Sequence, residues 1–232
     1  MGKELEKQRA LEAEVMRQQQ KNTEYYEYKE NEAFTFDGQP VFSVLDYWRF
    51  QYGQLMNQQE YIAEFLVSKA LGIRKAENVS FWTGYDLSYC AKRIEVKSSV
   101  YVHPWNKKRT SKVRTFSIAP SSNLYWSGKK DENGKKLARQ NEIYVFCLNT
   151  NRDINNADPL IIDDWDFYVI PTFVIDEMCS KYGNPNQKTI SLGVVRKLSD
   201  GSVKWDQLHE KINEAIDRVD RHIIEIDERE CD

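Results

Sequence analysis

The side chains with the clearest potential for chemistry are those of Asp86, Glu95 and Lys97. Side chains alternate along a strand, so Glu95 and Lys97 would share one face of it. If Asp86 lies across from Glu95, the two carboxylates repel each other unless a cation sits between them. Carboxylate oxygens suit Mg²⁺, which lowers the pKa of its bound water and stabilises charge on phosphate oxygens. An ammonium group beside that water can position it, so the pattern favours metal-dependent hydrolysis of phosphodiester bonds.

A β-hairpin is the element that would bring Asp86 and Glu95 together. The flanking segments are rich in aromatic and β-branched residues, as is typical of strands. A turn centred between Cys90 and Ala91 would place Asp86 directly opposite Glu95. This turn lacks the usual Asn-Gly or Gly-Gly pair, and a slip of one residue would move Asp86 to the other face. A surface hairpin with a cross-strand ion cluster is the alternative interpretation.

A helix predicted over residues 57–72 adds a third carboxylate. Asn57 would cap its N-terminus and Gly72 would end it. Apolar residues cover most of its circumference, so we expect it to be largely buried. Glu64 lies within that apolar run, and a buried carboxylate needs a metal, a metal-bound water or a lysine as its partner. An equally good interpretation places Glu64 at the solvent edge of the helix.

The order of these elements resembles the PD-(D/E)xK nuclease superfamily, which has the restriction-endonuclease-like fold, and is closest to an uncharacterised bacterial branch of it. The resemblance covers roughly residues 57–180. It runs through the segments RIEVKSS at 93–99, EIYVFCL at 142–148 and DWDFYVIPTFVIDE at 164–177. One departure is Tyr85, which stands where the family motif has proline.

The resemblance implies an α/β fold with a three-layer α/β/α core and a mixed central sheet. It implies that Asp86, Glu95 and the backbone carbonyl of Val96 ligate Mg²⁺, for which Mn²⁺ could substitute. Lys97 would orient or activate the attacking water, and Glu64 would act through a water or a second metal. The implied activity is Mg²⁺-dependent endonucleolytic hydrolysis of DNA.

Further residues are accessory candidates. Gln140 and Tyr144 match the spacing of a QxxxY motif found in some exonuclease branches of the superfamily, although Tyr144 is expected to open a strand instead of lying on a helix. Ser98 belongs to the same strand as the ExK motif. His103 lies just beyond that strand and could reach a substrate, but a turn residue before Pro104 is the simpler interpretation.

The charge distribution favours a nucleic-acid partner. The whole chain carries a formal net charge of −3, yet residues 92–139 contain 13 Lys and Arg against 3 Asp and Glu, which is +10 for this segment and −13 for the remainder. A basic segment beside catalytic carboxylates would hold a phosphate backbone. DNA is the expected substrate, with RNA as the alternative, while the lysines at 129–136 fit a solvated loop. The candidates for nucleic-acid contact are Lys107, Lys108, Arg109, Lys112 and Arg114.

The remaining segments predict one nuclease domain at residues 35–200 between two helical extensions. Residues 1–34 are rich in Glu, Lys and Gln, which indicates a solvated helix or a partner-binding arm. Residues 201–232 carry an apolar stripe that fits either a docked helix or a homodimer seam. Ser43 can cap a helix running to about Leu55. The residues of that helix expected to pack on the domain are Val44, Leu45, Tyr47, Trp48 and Phe50.

Composition excludes several other classes. The mean hydropathy is −0.70 and no apolar run approaches membrane length, so no membrane partner is expected. No signal peptide is visible, and the 4 cysteines are widely spaced, which predicts reduced thiols in a cytoplasmic protein. The main alternative function is a nucleic-acid-binding or assembly module on the same fold that does not cleave.

Overall fold

A computed structural model defines the fold of two compact units. They comprise residues 1–53 with 223–232, and residues 54–222. No helix within the described part of the chain is long and apolar enough to span a membrane. The structure describes residues 29–52, 59–73, 84–102, 114–120 and 138–230.

The described residues form both strands and helices, with a mixed sheet, which confirms the α/β class. The predicted helix at 57–72 is present as Gln59–Ala70 within the described residues, and the predicted strand at 143–148 is present as Ile143–Asn149. The strands are β1 (Ala33–Phe36), β2 (Gln39–Ser43), β3 (Leu87–Tyr89), β4 (Lys92–Val100), β5 (Thr115–Ser117), β6 (Ile143–Asn149), β7 (Trp165–Pro171) and β8 (Thr189–Ser191). The helices are α1 (Val44–Tyr52), α2 (Gln59–Ala70), α3 (Thr172–Lys181), α4 (Leu192–Leu198) and α5 (Leu208–Glu230).

The larger unit is organised around a 4-stranded mixed sheet in the order β3-β4-β6-β7. The inner strands β4 and β6 run parallel, whereas β3 pairs with β4 and β7 pairs with β6 in the antiparallel direction. All residues of β6 are buried, which is typical of a central strand covered on both faces. The predicted mixed sheet is therefore confirmed, and β4 lies between two partners.

Helices and outer strands bury the apolar side chains of this sheet. One core cluster joins Phe146 of β6 and Ile170 of β7 to Ile175 of α3 and Val195 of α4. Each of these four side chains is fully buried, and burying an aliphatic or aromatic side chain contributes roughly 1.5–3 kcal/mol. This cluster fixes β6, against which the motif-bearing strand β4 is aligned.

Helix α2 lies against β4 and is fixed at both its face and its end. Ala63 and Val67 are completely buried, and the indole of Trp205 donates a hydrogen bond of 2.9 Å to the Leu66 carbonyl. Gly72 ends the helix, as predicted, with a φ of 66° that suits glycine. The expected Asn57 cap lies outside the described residues.

The smaller unit contains the β1–β2 hairpin and α1. The hairpin turns at Asp37 and Gly38, whose φ values of 49° and 71° are those of a type I′ turn. Ser43 caps α1 as predicted, because its hydroxyl accepts a 3.1 Å hydrogen bond from the Asp46 N–H. The Asp46 carboxylate accepts from the Ser43 hydroxyl and N–H in return, and these bonds lower the pKa of Asp46.

Two expectations for this region are corrected. The aromatic residues of α1 do not pack inward, since Tyr47, Trp48 and Phe50 are 47%, 36% and 84% exposed. The expected helical arm at 1–34 lies mostly outside the described residues, and its last two positions, Ala33 and Phe34, belong to β1 instead. The free cysteines of the described part of the chain are Cys90, Cys147 and Cys179.

Candidate active site

The β3–β4 hairpin has the register that the sequence predicted. Tyr89 pairs with Lys92 across a turn formed by Cys90 and Ala91. Both turn residues have positive φ, 48° and 58°, as a type I′ turn requires. Neither is glycine or asparagine, and left-handed backbone costs such residues about 1 kcal/mol each. Pairing of β4 with β6 offsets this cost.

Asp86 is attached to β4 by both its backbone and its side chain. Its N–H donates to the Ile94 carbonyl at 3.0 Å, and its Oδ2 accepts a 2.7 Å hydrogen bond from the Val96 N–H. The N–H and C=O of one strand residue point to the same edge of the strand. The Val96 carbonyl therefore faces the edge where Asp86 lies, which is the orientation expected of a ligand beside that carboxylate.

Glu95 and Lys97 form an ion pair on one face of β4, between Oε1 and Nζ. Their side chains are only 17% and 29% exposed. Burial and the negative charge of Asp86 raise the pKa of Glu95 to about 7, against the opposing effect of Lys97. Burial lowers the pKa of the Lys97 ammonium, but the charge and hydrogen bond of Glu95, with smaller effects of the charges of Asp86 and Glu60, together outweigh burial and raise that pKa. The site thus holds one cation among more carboxylates than it can neutralise.

Helix α2 contributes further negative charge to this site. Glu64 is half-buried, and its charge adds to the increase in the pKa of Glu95. Glu60, one turn earlier on the helix, raises the pKa of Lys97. Glu64 thus lies between the two interpretations, half-buried but close enough for its charge to act on Glu95.

A polar cavity of about 240 Å³ opens beside the two facing carboxylates. At ~30 Å³ per water, it has room for about eight waters, or for one phosphodiester group with several waters. Its lining combines the hairpin with the segment that precedes β6. The lining residues are Gly84, Tyr85, Asp86, Glu95, Ala119, Arg139, Gln140, Asn141 and Tyr144.

Two of the accessory candidates lie at this cavity. Tyr144 is the second residue of β6 and pairs with Glu95, so it lies on a strand, as expected. Burial and the charge of Glu95 raise the pKa of the Tyr144 hydroxyl, which stays protonated. Gln140 lies against Gly84, where an added Cβ would come within 3.2 Å of the Gln140 side chain. Glycine at this position thus allows Gln140 to reach the cavity.

Arg139, which the sequence marks only as one charge of the basic segment, lines the cavity. Its side chain is 2% exposed and forms an ion pair with Asp176. It also donates hydrogen bonds of 2.9 Å to the carbonyls of Ile118 and Gln187. These bonds commit the guanidinium to the cavity wall, where it supplies a fixed positive charge. Its spacing from the motif gave no signal of this role.

Other predicted residues lie elsewhere. Ser98 alternates with Lys97 along β4, so its side chain belongs to the opposite face from the ExK pair. Arg114 is not on an exposed basic surface, because it is only 9% exposed and donates to the Tyr101 carbonyl at 3.1 Å. The candidates outside the described residues are His103, Lys107, Lys108, Arg109 and Lys112.

The donor set suits Mg²⁺ better than a cation that needs a complete protein cage. Among the described residues, no group of three or more His, Cys, Asp and Glu side chains is arranged to hold a metal. Mg²⁺ is usually held by one or two carboxylates, with waters and substrate phosphate in its other positions. Asp86 and Glu95 could supply two such carboxylates, and a cation between them would relieve the repulsion that, after burial, raises the pKa of Glu95.

Comparisons with known proteins returned no relative. No family model matches the chain, and neither a curated protein nor a solved structure matches it. The chemistry of the site therefore has to be argued from its own residues.

Proposed function

We propose that this chain is a Mg²⁺-dependent deoxyribonuclease of the PD-(D/E)xK type, built on a restriction-endonuclease-like core. The observation that carries the proposal is the hairpin that sets Asp86 against β4 beside the Glu95–Lys97 pair, at the wall of a polar cavity. The order of α2, the hairpin, β6, β7 and α3 supports the core assignment.

Each residue has a distinct role in the proposed reaction. Asp86, Glu95 and the Val96 carbonyl would hold the ion, which when bound would supply Lewis-acid stabilisation of the phosphate and lower the pKa of a bound water. Lys97 donates a hydrogen bond to the attacking water or to a phosphate oxygen, where negative charge develops. Glu64 orients a water from the α2 side. The Glu95–Lys97 ion pair keeps the ammonium protonated and in place before substrate binds.

Cleavage assays with the full chain test this function. Supercoiled plasmid, duplex and single-stranded DNA, and RNA of matched sequence are incubated with Mg²⁺ or with EDTA. We expect Mg²⁺-dependent products from DNA, and a loss of about 10²–10⁴-fold in rate for Asp86→Asn. Asp217→Asn, an exposed residue of α5, is the matched control and should keep full activity. Equal cutting by wild type and Asp86→Asn would refute the assignment, and products from RNA alone would redirect it to a ribonuclease.

A second candidate is a nucleic-acid-binding module that does not cleave. It is favoured by the ion pair itself, because Lys97 already has a partner in Glu95. This candidate predicts salt-sensitive binding of nucleic acid without any metal-dependent product.

A further inference from the structure

A second charged cluster surrounds Tyr101, just beyond the end of β4. The guanidinium carbon of Arg114 lies 4.8 Å from the centroid of the Tyr101 ring, and that of Arg152 lies 4.2 Å from it. Cation–π contacts stabilise each guanidinium on the ring. They do not neutralise two like charges that share one aromatic partner, so an additional negative group would be favourable here.

Arg114 is the buried member of this cluster and lacks one hydrogen-bond partner. Arg114 is 9% exposed, and its Nη2 donates a 3.1 Å hydrogen bond to the Tyr101 carbonyl. Its Nε is buried and has no acceptor. A buried donor on a charged group is strongly unfavourable unless an acceptor reaches it. Burial, together with the charge of Arg152, lowers the pKa of the Arg114 guanidinium.

Arg196 of α4 adds a third guanidinium to the cluster. Its Nε donates to the Tyr168 hydroxyl at 3.3 Å, and Tyr101 also acts on its charge. Arg152 and Arg196 are both exposed, so the cluster opens to solvent. Within the described ranges, none of the three arginines forms an ion pair with a carboxylate. Asp166 acts on Arg196 electrostatically, but its carboxylate pairs with Lys204 at 2.9 Å.

We propose that Arg114, Arg152 and Arg196 form a binding site for a phosphate group around Tyr101. Guanidinium groups bind phosphate oxygens through planar, paired hydrogen bonds, and several arginines together neutralise the dianion. A phosphate oxygen would also supply the acceptor that Arg114 Nε lacks. The site lies roughly 20 Å from Glu95 along β4, at about 3.3 Å per residue, and is separate from the carboxylates. The phosphate belongs either to a nucleic-acid backbone or to a small phosphate ligand.

Exposed arginines allow a test that leaves the core intact. The full chain in EDTA is titrated with inorganic phosphate, and binding is measured as the shift in melting temperature. Chloride at the same ionic strength is the control. In parallel, a fluorescein-labelled oligonucleotide is titrated with the chain, and binding is measured from the fluorescence anisotropy at several salt concentrations. Arg152→Gln and Arg196→Gln are compared with Arg221→Gln, an exposed arginine of α5 that carries the same loss of charge.

We expect both cluster variants to weaken binding by about 10-fold and to reduce the salt slope for the oligonucleotide by about 1, while Arg221→Gln changes neither. A loss confined to the oligonucleotide identifies the phosphate as a backbone group, and a loss confined to inorganic phosphate identifies a small ligand. Cluster variants that bind both probes like wild type would overturn the proposal and leave the arginines as packing partners of Tyr101.

The site is independent of cleavage, and one further variant separates the two ideas. Asp86→Asn should keep wild-type affinity for the phosphate probe whether or not the chain is a nuclease. Binding that disappears in Asp86→Asn while the Arg152→Gln protein binds normally would place the phosphate at the carboxylate site and refute the arginine site.

Discussion

The β1–β2 and β3–β4 hairpins differ in how well the turn sequence suits a hairpin and in how much of the hairpin is buried. The β1–β2 hairpin turns at Asp37-Gly38, a pair that favours type I′ turns, yet all residues of β1 are exposed. The β3–β4 hairpin turns at Cys90-Ala91, which sequence rules disfavour, yet it buries Ile94 completely. A turn sequence with high type I′ propensity can therefore form a hairpin that buries little, and burial of a hairpin can stabilise a turn sequence with low propensity.

This difference explains how the candidate site keeps its geometry. β4 is paired on both edges, with β3 on one side and β6 on the other, so its register does not depend on the turn. The positions of Asp86, Glu95 and Lys97 are therefore set by the sheet. Among the described residues the β1–β2 hairpin has no third strand, and isolated two-stranded hairpins are marginally stable in water.

The largest expected effect is on the cleavage rate, and it distinguishes a catalytic lysine of β4 from a structural one. Lys97→Met should lower Mg²⁺-dependent cleavage by about 10²–10⁴-fold, because it removes the positive charge beside the reacting phosphate. Lys92→Met is the matched control on the same strand, since Lys92 pairs with Asp220 on α5. It should keep near-wild-type cleavage per folded molecule. Equal losses in the two variants would mean that charge on β4 matters only for stability.

A somewhat smaller effect on stability tests which of the two hairpins buries apolar side chains. Ile94→Ala should lower the free energy of unfolding by about 2–5 kcal/mol, since Ile94 is 0% exposed and its removal leaves a cavity. Phe36→Ala, at a side chain that is 79% exposed, should change it by about 0.5 kcal/mol or less. Urea unfolding measures both values. A larger loss for Phe36→Ala would show that the β1–β2 hairpin is covered in solution.

A smaller effect is the pH dependence that Glu95 confers. Its folded pKa of about 7 lies above the ordinary value of 4.5, so the folded state retains a proton that the unfolded chain releases. Stability should therefore fall as pH rises from about 4.5 to about 7, by roughly 1–3 kcal/mol. Asp46, next to the β1–β2 hairpin, has a lowered pKa. Its contribution to stability is therefore lost as pH falls, which is opposite to that of Glu95.

Urea unfolding across this pH range, in EDTA, measures the Glu95 contribution. Glu95→Gln should remove the decline, whereas Glu210→Gln, at an exposed residue of α5, should leave it unchanged. A decline that persists in Glu95→Gln would assign it to another group.

The smallest effect concerns the turns themselves. Ala91→Gly should stabilise the protein by about 0.5–1 kcal/mol, because glycine adopts the φ of 58° without strain. Gly38→Ala should destabilise the smaller unit by about 1 kcal/mol at a φ of 71°. Thermal unfolding compares the two variants. A loss of stability in Ala91→Gly would show that the Ala91 side chain makes a contact that outweighs its backbone strain.

Much of the site's framework was predictable from local patterns. The alternation around Glu95 and Lys97 predicted their shared face, and Gly72 predicted the end of α2. The β1–β2 hairpin was missed, although Asp37-Gly38 between short apolar runs was its signal. The exposed aromatics of α1 were misplaced because an apolar helix face does not reveal whether any partner covers it.

Other features depend on contacts between distant segments. Arg139 reaches the cavity only because Asp176 and the carbonyls of Ile118 and Gln187 hold it, and no sequence spacing encodes that arrangement. Arg114 was grouped with the basic segment by charge alone, yet its side chain is only 9% exposed. Charge counts predict the sign of a segment but not which of its side chains face solvent.

Direct titration of the metal tests the central claim, that Asp86 and Glu95 form a Mg²⁺ site. Isothermal titration calorimetry of the full chain with Mg²⁺, repeated with Mn²⁺, gives the affinity without any assumption about substrate. We expect binding by wild type and by Lys97→Met, and a loss of at least about 10-fold in affinity for Asp86→Asn and for Glu95→Gln. Equal metal affinity in wild type and Asp86→Asn would contradict the account.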